Sequence, residues 1–129
     1  MTDATCACGQ LRATLAHPPK RASICHCEDC RKRSGSAFSL NARYAPSEVE
    51  TKGRSSSYTR KGDEGSSICY HFCPDCGVVV WYLNDQIDAV LIPVGTAVPA
   101  ELCPPVMSVY DERRPEWLRL EGEEIVVID

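Results

Sequence analysis

The sequence predicts an all-β fold of short antiparallel strands with little helix, and three observations lead to this prediction. Several short segments alternate apolar and polar residues or are rich in β-branched and aromatic residues, as half-buried strands are. Clusters of glycine, proline and small polar residues separate these segments. Cysteine motifs lie between the segments, and a metal bound by such motifs can close short strands into a stable domain.

The first predicted strand is the segment Gln10–Ala16, in which Leu11, Ala13 and Leu15 would occupy one face. The same criteria predict strands over Ala22–Cys25, Ala37–Tyr44, Ser55–Arg60, Ser66–Cys73, Val78–Asn84, Asp88–Val94 and Val106–Tyr110. The segments on either side of the Cys73-Pro74-Asp75-Cys76-Gly77 turn are the strongest, so we expect them to form a hairpin with a metal-binding tip. The pattern amounts to about eight short strands.

Helix and turns take up the rest of the chain. Glu28–Ser34 is predicted to form one or two helical turns that end at Gly35. Turns are predicted where glycine, proline and charged residues cluster, at Lys61–Gly65, Pro99–Pro105 and Pro115–Leu118. In the last of these, Trp117 is expected to pack back on the sheet.

Composition bounds the class of protein and its partners. A length of 129 residues fits a single domain over residues 1–129. The formal charge of −4 argues against nucleic-acid binding, and no apolar run is long enough to predict a membrane segment. Nine cysteines without an apolar signal segment favour metal binding in the reducing cytoplasm over a disulfide scaffold.

The central motif of the chain consists of Cys25, Cys27 and Cys30 in the spacing C-x-C-x2-C. Residues two apart share a face of an extended strand, and residues three apart meet across a tight turn, so these thiols should converge. A disulfide would join only two of them, whereas zinc accepts all three as thiolates at roughly 2.3 Å. The motif therefore predicts a zinc site with three protein ligands.

Two further motifs, C-x-C-G and C-x2-C-G, supply four more thiols from distant parts of the chain. Glycine after the second cysteine suits a knuckle in which the backbone adopts positive φ. Structural zinc has four protein ligands, whereas reactive zinc has three and an open position. The seven thiols therefore predict a closed site and an open site, of which the closed one would use Cys6, Cys8, Cys73 and Cys76.

An open site is one of several interpretations of the three-cysteine motif. A fourth ligand could close it, and His26, His71 and Cys69 are the candidates, since Cys69, His71 and Cys73 share a strand face. A closed second site would indicate a zinc-stabilised binding module without catalysis. A crowded, cation-flanked group of thiols could also act as a redox sensor after losing its metal. Cys69 and Cys103 also fit the role of small buried hydrophobic residues.

The motifs together resemble those of the glutathione-dependent formaldehyde-activating enzyme family, which includes the centromere protein V type. They are C-x-C-G, C-H-C-x2-C-R-K with Ser34-Gly35 and Phe38 after it, and Phe72-Cys73-x2-Cys76-Gly77. The resemblance implies a β-tent fold with two zinc ions and a carbon–sulfur lyase activity on S-hydroxymethylglutathione. It also implies a structural zinc at Cys6, Cys8, Cys73 and Cys76 and a catalytic zinc at Cys25, Cys27 and Cys30.

The residues beside the open site suggest how such a reaction would proceed. A zinc ion with three thiolates should activate water weakly and suit a thiol, such as glutathione, better. Arg31, Lys32 and Arg33 follow the motif directly and could bind the carboxylates of the tripeptide. Proton transfer to the nascent alkoxide requires an acid, for which His26 and His71 are the candidates.

Overall fold

Strands dominate the computed structural model, which describes residues 2–97, 103–122 and 125–129. These residues form eleven strands and one α-helix, α1 (Glu28–Ser34), so the all-β prediction is confirmed. The strands are β1 (Thr2–Thr5), β2 (Arg12–Leu15), β3 (Ala22–Cys25), β4 (Ser39–Tyr44), β5 (Val49–Lys52), β6 (Ser56–Lys61), β7 (Ser67–Phe72), β8 (Val79–Asn84), β9 (Val90–Pro93), β10 (Pro105–Val109) and β11 (Val126–Ile128).

The strands form two sheets. Strands β1, β2 and β5 make a three-stranded antiparallel sheet, and the others make an eight-stranded sheet in the order β11-β10-β3-β4-β9-β8-β7-β6. In the large sheet β10 runs parallel to both β3 and β11, whereas the other pairs are antiparallel. The predicted hairpin is present as β7 and β8, which pair antiparallel across the Cys73–Gly77 turn.

The main core contains residues from both sheets. Apolar side chains of β2 pack with those of β4, β8 and β9, because alternation along each strand points every second residue inward. The largest fully buried members include Leu11, Leu15, Tyr44, Val80 and Ile92. A second, smaller apolar cluster consists of Ile68, Tyr70, Tyr82 and Leu91. Tyr82 and Trp81 are adjacent in β8 and belong to different clusters, so the two clusters cover opposite faces of the large sheet.

The sequence-based strand count was too low. Strands β1 and β5, of four residues each, and β11, of three residues, were not predicted. Trp117 was also placed wrongly, since it is 73% exposed and does not pack on the sheet. Residues 98–102 of the predicted turn at Pro99–Pro105 lie outside the described residues. The described part of the chain has no helix with the length and apolar character that a membrane crossing requires.

Candidate metal centres and the adjoining cavity

The four cysteines of the two glycine-ended motifs meet at one point. Cys6 and Cys8 lie between β1 and β2, whereas Cys73 and Cys76 lie between β7 and β8. Their four sulfur atoms are all within 4.8 Å of one another. The sulfur of Cys8 is 3.6 Å from that of Cys6 and 3.7 Å from that of Cys73. Tetrahedral zinc with bonds of about 2.3 Å requires sulfur atoms about 3.8 Å apart, so this donor set fits zinc.

Local hydrogen bonds hold these sulfur atoms in place. The backbone N–H of Leu11 donates to Cys6 Sγ at 3.3 Å, and the side-chain amide of Gln10 donates to Cys73 Sγ at 3.0 Å. Gly9 and Gly77 have φ of 83° and 82°, which confirms the positive φ predicted for the glycine of each knuckle. Donors directed at sulfur stabilise thiolates and, with the turn geometry, prepare the site for a cation.

The other three cysteines meet where β3 passes into α1. Cys25 ends β3, Cys27 is the N-cap of α1 and Cys30 lies in its first turn. The Cys27 sulfur accepts a hydrogen bond of 3.3 Å from the Cys30 backbone N–H, and Gly35 ends the helix with φ of 67°. The three sulfur atoms lie within 4.8 Å of one another, and no fourth metal-ligand side chain of the described residues joins them. Three soft donors of this kind fit zinc with an open position.

The three thiols strongly influence one another's protonation. Hydrogen bonds from Cys25 and Cys27, together with smaller effects of Ser39 and Arg33, lower the pKa of Cys30 to about 3. The pKa of Cys25 is raised, chiefly because its hydrogen bonds with Cys27 and Cys30 stabilise its protonated form. The cluster therefore already favours one thiolate, which is the form that a metal binds.

The basic triplet of Arg31, Lys32 and Arg33 lies in the last turn of α1, where cations interact favourably with the helix dipole. Arg31 and Lys32 are exposed, and Lys32 pairs with Glu28 at 3.1 Å. Arg33 turns inward, where it donates to Asn41 Oδ1 at 3.1 Å and its guanidinium lies 5.0 Å from the centre of the Tyr82 ring. The role of the triplet in substrate binding stays a prediction.

A cavity of about 340 Å³ adjoins the three-cysteine cluster. Its wall includes all three of these cysteines, and the side chains of the second apolar cluster contribute Ile68, Tyr82 and Leu91. Two arginines, Arg43 and Arg60, also line it, whereas none of the basic triplet does. The cavity thus combines soft metal ligands and an apolar wall with two cations and the carboxylates of Asp29, Asp63 and Glu64. Because Asp29 pairs with Arg60 and Asp63 pairs with Arg113, Arg43 is the lining cation that suits a carboxylate of a thiol compound.

The two arginines differ in how they are held. The Arg60 Nε donates to the Tyr70 hydroxyl at 2.6 Å, and its guanidinium pairs with Asp29 at 3.3 Å. These contacts fix Arg60 in position beside the cluster. Arg43 is exposed and forms no ion pair with a described residue, so its guanidinium is free to bind a ligand.

Side-chain bridges across the cavity join distant strands of the large sheet. Asp63, in the loop between β6 and β7, pairs with Arg113 at 2.9 Å, and Glu64 accepts a hydrogen bond of 3.0 Å from the Tyr110 hydroxyl. Asp63, Glu64 and Tyr110 all line the cavity. Because β6 and β10 lie near opposite ends of the strand order, these bridges close the sheet around the cavity.

The proposed fourth ligands and acids lie elsewhere. His26 is 1% exposed, and its Nε2 is 3.0 Å from the hydroxyl oxygen of Ser108, which donates to Asp111. Burial lowers the pKa of His26 and favours its neutral form. His71 stacks on Trp81 with ring centres 4.8 Å apart, and its Nε2 is 3.7 Å from Cys69 Sγ. Neither histidine lines the cavity, so the structure does not bring them to the three-cysteine cluster.

Arg43 and Arg60 were not identified from the sequence as site residues, and Tyr82 was expected to belong to the core or to a pocket wall, with the core favoured. They lie in β4, β6 and β8, far from the cysteine motifs along the chain, and only the strand order brings them to the cavity. Alternation placed Tyr82 on a strand face but could not show which face meets the cavity. Cys103, which was expected to be a small hydrophobic residue, packs against the main core.

Comparisons with known proteins concern the family and the fold of the chain. The sequence model of the family described as "Glutathione-dependent formaldehyde-activating enzyme" matches residues 1–113. A crystal structure of a Rhodobacter sphaeroides protein is similar in fold, with a TM-score of 0.59 and 18% identity, covering 77% of this chain and 90% of that chain. At this identity the likeness concerns the fold alone. No significant match was found among curated proteins.

Proposed function

Because the chain belongs to the glutathione-dependent formaldehyde-activating enzyme family, we propose that it is a zinc-dependent carbon–sulfur lyase. Its substrate would be the adduct of a small carbonyl compound with glutathione or a similar thiol, such as S-hydroxymethylglutathione. The reaction either joins the thiol sulfur to the carbonyl carbon or breaks that bond. Nine free cysteines suit a reducing compartment such as the cytoplasm, which we propose as its location.

The observation that carries this proposal is the cavity wall formed by Cys25, Cys27 and Cys30. A purely structural zinc site is closed by four protein ligands and needs no cavity, and the four-cysteine cluster has the four ligands that such a site requires. The second cluster has three ligands and faces a space of about 340 Å³. This geometry favours a lyase over a binding module with two closed sites, because His26, His71 and Cys69 do not complete the second cluster.

The residues around the cavity would divide the work of binding and reaction. Zinc held by the three thiolates would supply an open coordination position that lowers the pKa of a thiol ligand. Arg43 would bind a carboxylate of the thiol compound and fix its orientation, and Arg60, held by Asp29 and Tyr70, would add positive charge to the same wall. The apolar wall and the bridges from Asp63 and Glu64 would limit the access of water to the reacting carbon.

The proposal predicts that the zinc-loaded protein accelerates the exchange between formaldehyde and S-hydroxymethylglutathione. NMR exchange spectroscopy with ¹³C-labelled formaldehyde and glutathione measures both directions at equilibrium. The Cys30→Ser protein is the matched control, since serine preserves the size of the side chain but removes one zinc ligand. Acceleration by the wild type but not by this variant supports the lyase. An exchange rate equal to that of buffer would refute it.

We expect Arg43→Ala to weaken glutathione binding about tenfold, because a lost charged hydrogen bond costs about 1.5 kcal/mol. Isothermal titration of the zinc-loaded protein measures the dissociation constant. Arg31→Ala tests the alternative that the helix binds the carboxylate, and Arg119→Ala, remote from the cavity, is the neutral control. A larger loss of affinity in Arg31→Ala than in Arg43→Ala would assign the carboxylate to the helix instead.

A further inference from the structure

The hydroxyl group of Tyr82 has no structural role in the described part of the chain. Tyr82 is 9% exposed and lines the same cavity as Cys25, Cys27 and Cys30. Its hydroxyl oxygen forms no hydrogen bond with a described residue. This oxygen atom is also not completely enclosed by protein. A buried tyrosine usually finds a partner for its hydroxyl. The free hydroxyl of Tyr82 is therefore available to a ligand in the cavity.

The ring of Tyr82 is fixed by two neighbours. The Tyr70 ring packs edge-on against it, with centres 5.5 Å apart and planes at 67°. The guanidinium of Arg33 lies 5.0 Å from the centre of the same ring. A positive charge over the ring draws electron density from the phenol and makes its O–H a stronger hydrogen-bond donor. The hydroxyl is thus both oriented and polarised before a ligand arrives.

The hydroxyl and imidazole groups of the other tyrosines and histidines do not offer a free hydrogen-bonding group at the cavity. Tyr110 donates its hydrogen bond to Glu64, and the Tyr70 hydroxyl is bound by Arg60. His26 is buried against Ser108 away from the cavity, and His71 stacks on Trp81 on the opposite face of the large sheet. Among the phenols and imidazoles of the described residues, Tyr82 is therefore the one with a free group at the cavity.

We propose that Tyr82 donates a hydrogen bond to the carbonyl oxygen of the substrate while that oxygen becomes an alkoxide. This assignment rests on the function proposed above. In the addition, the thiolate sulfur bonds to the carbonyl carbon, the C=O π electrons move to oxygen, and the alkoxide then takes a proton from water. In the cleavage, the hydroxyl group of the substrate gives its proton to water, the resulting alkoxide oxygen re-forms the C=O bond, and the C–S bond breaks with its electron pair leaving on sulfur.

The protonation of Tyr82 agrees with a donor role. Burial raises its pKa above the ordinary range of tyrosine, although the charge of Arg33 partly offsets this effect. The hydroxyl group therefore keeps its proton at neutral pH and can donate to an oxyanion.

The test compares Tyr82→Phe with Tyr44→Phe in the zinc-loaded protein. Phenylalanine keeps the ring and its packing, so Tyr82→Phe should have the melting temperature of the wild type. We expect its kcat for formaldehyde exchange at saturating glutathione to fall about 10²-fold, as for the loss of one oxyanion donor. Its dissociation constant for glutathione should change less than twofold. Tyr44, whose hydroxyl donates to the His17 carbonyl in the main core, is a buried tyrosine away from the cavity.

The outcomes separate this assignment from the function on which it rests. A wild-type protein that does not accelerate exchange overturns both. An active wild type with an equally active Tyr82→Phe variant overturns the role of Tyr82 alone. An equal loss of kcat in Tyr44→Phe also overturns it, because the loss would then follow from any buried tyrosine. A loss of rate that disappears at saturating glutathione, together with weaker glutathione binding, assigns Tyr82 to thiol binding and contradicts the proposal.

Discussion

Replacing Cys73 with serine is expected to leave the chain largely unfolded, whereas Cys27→Ser is expected to fold. Cys73 is fully buried and belongs to the cluster that joins the β1–β2 connection to the β7–β8 hairpin. Its sulfur neighbour Cys8 is 65 positions away, so the metal would close a long loop. Apparent zinc-binding free energies of about 10 to 16 kcal/mol are comparable with the whole stability of a domain.

Cys27→Ser is the matched control because its cluster lies within a short stretch of chain. Cys27 is also the N-cap of α1, and serine is a favourable N-cap residue that can accept the same hydrogen bond from the Cys30 N–H. Thermal unfolding followed by far-UV circular dichroism compares the two variants. A cooperative transition should survive in Cys27→Ser and be lost in Cys73→Ser. Equal damage in both would contradict the division into a structural and a reactive cluster.

Much of the strand pattern could be predicted from sequence because its signals are local. The hairpin of β7 and β8 combines β-branched and aromatic residues with a C-x2-C-G turn, and both features lie within one stretch of chain. The helix α1 was predicted with its observed bounds, since Gly35 provides a clear end signal. Strand β11 was missed because three residues cannot show a periodicity, and its pairing with β10 depends on a tertiary contact.

The candidate site was predictable only where cysteine spacing determines it. Both clusters follow from motif spacing and the count of thiols, which carry chemical information without any knowledge of the fold. The carboxylate-binding candidates Arg31, Lys32 and Arg33 were chosen because they adjoin the motif, yet the structure has Arg43 and Arg60 on the cavity wall. Strand order decides which distant residues line the cavity, and one sequence does not reveal that order.

The position of His26 has two causes, one local and one that depends on the strand order. His26 stands between two metal ligands in the sequence, which made it a natural candidate for proton transfer. In the structure its ring is buried against Ser108 of β10, a strand that pairs with β3 but lies far away along the chain. Adjacent residues of an extended segment point in opposite directions, so the neighbour of a ligand faces away from the metal.

The central claim, that the three-cysteine cluster is an open site for a thiol, is tested most directly with cobalt in place of zinc. Tetrahedral cobalt has visible absorption bands that change when another sulfur atom joins its ligands. We expect millimolar glutathione to shift these bands in the wild type, and S-methylglutathione, which lacks a free thiol, to have far less effect. Cys30→Ser should abolish the shift. A spectrum that glutathione leaves unchanged, in a protein with both clusters loaded, would contradict the open site and with it the lyase.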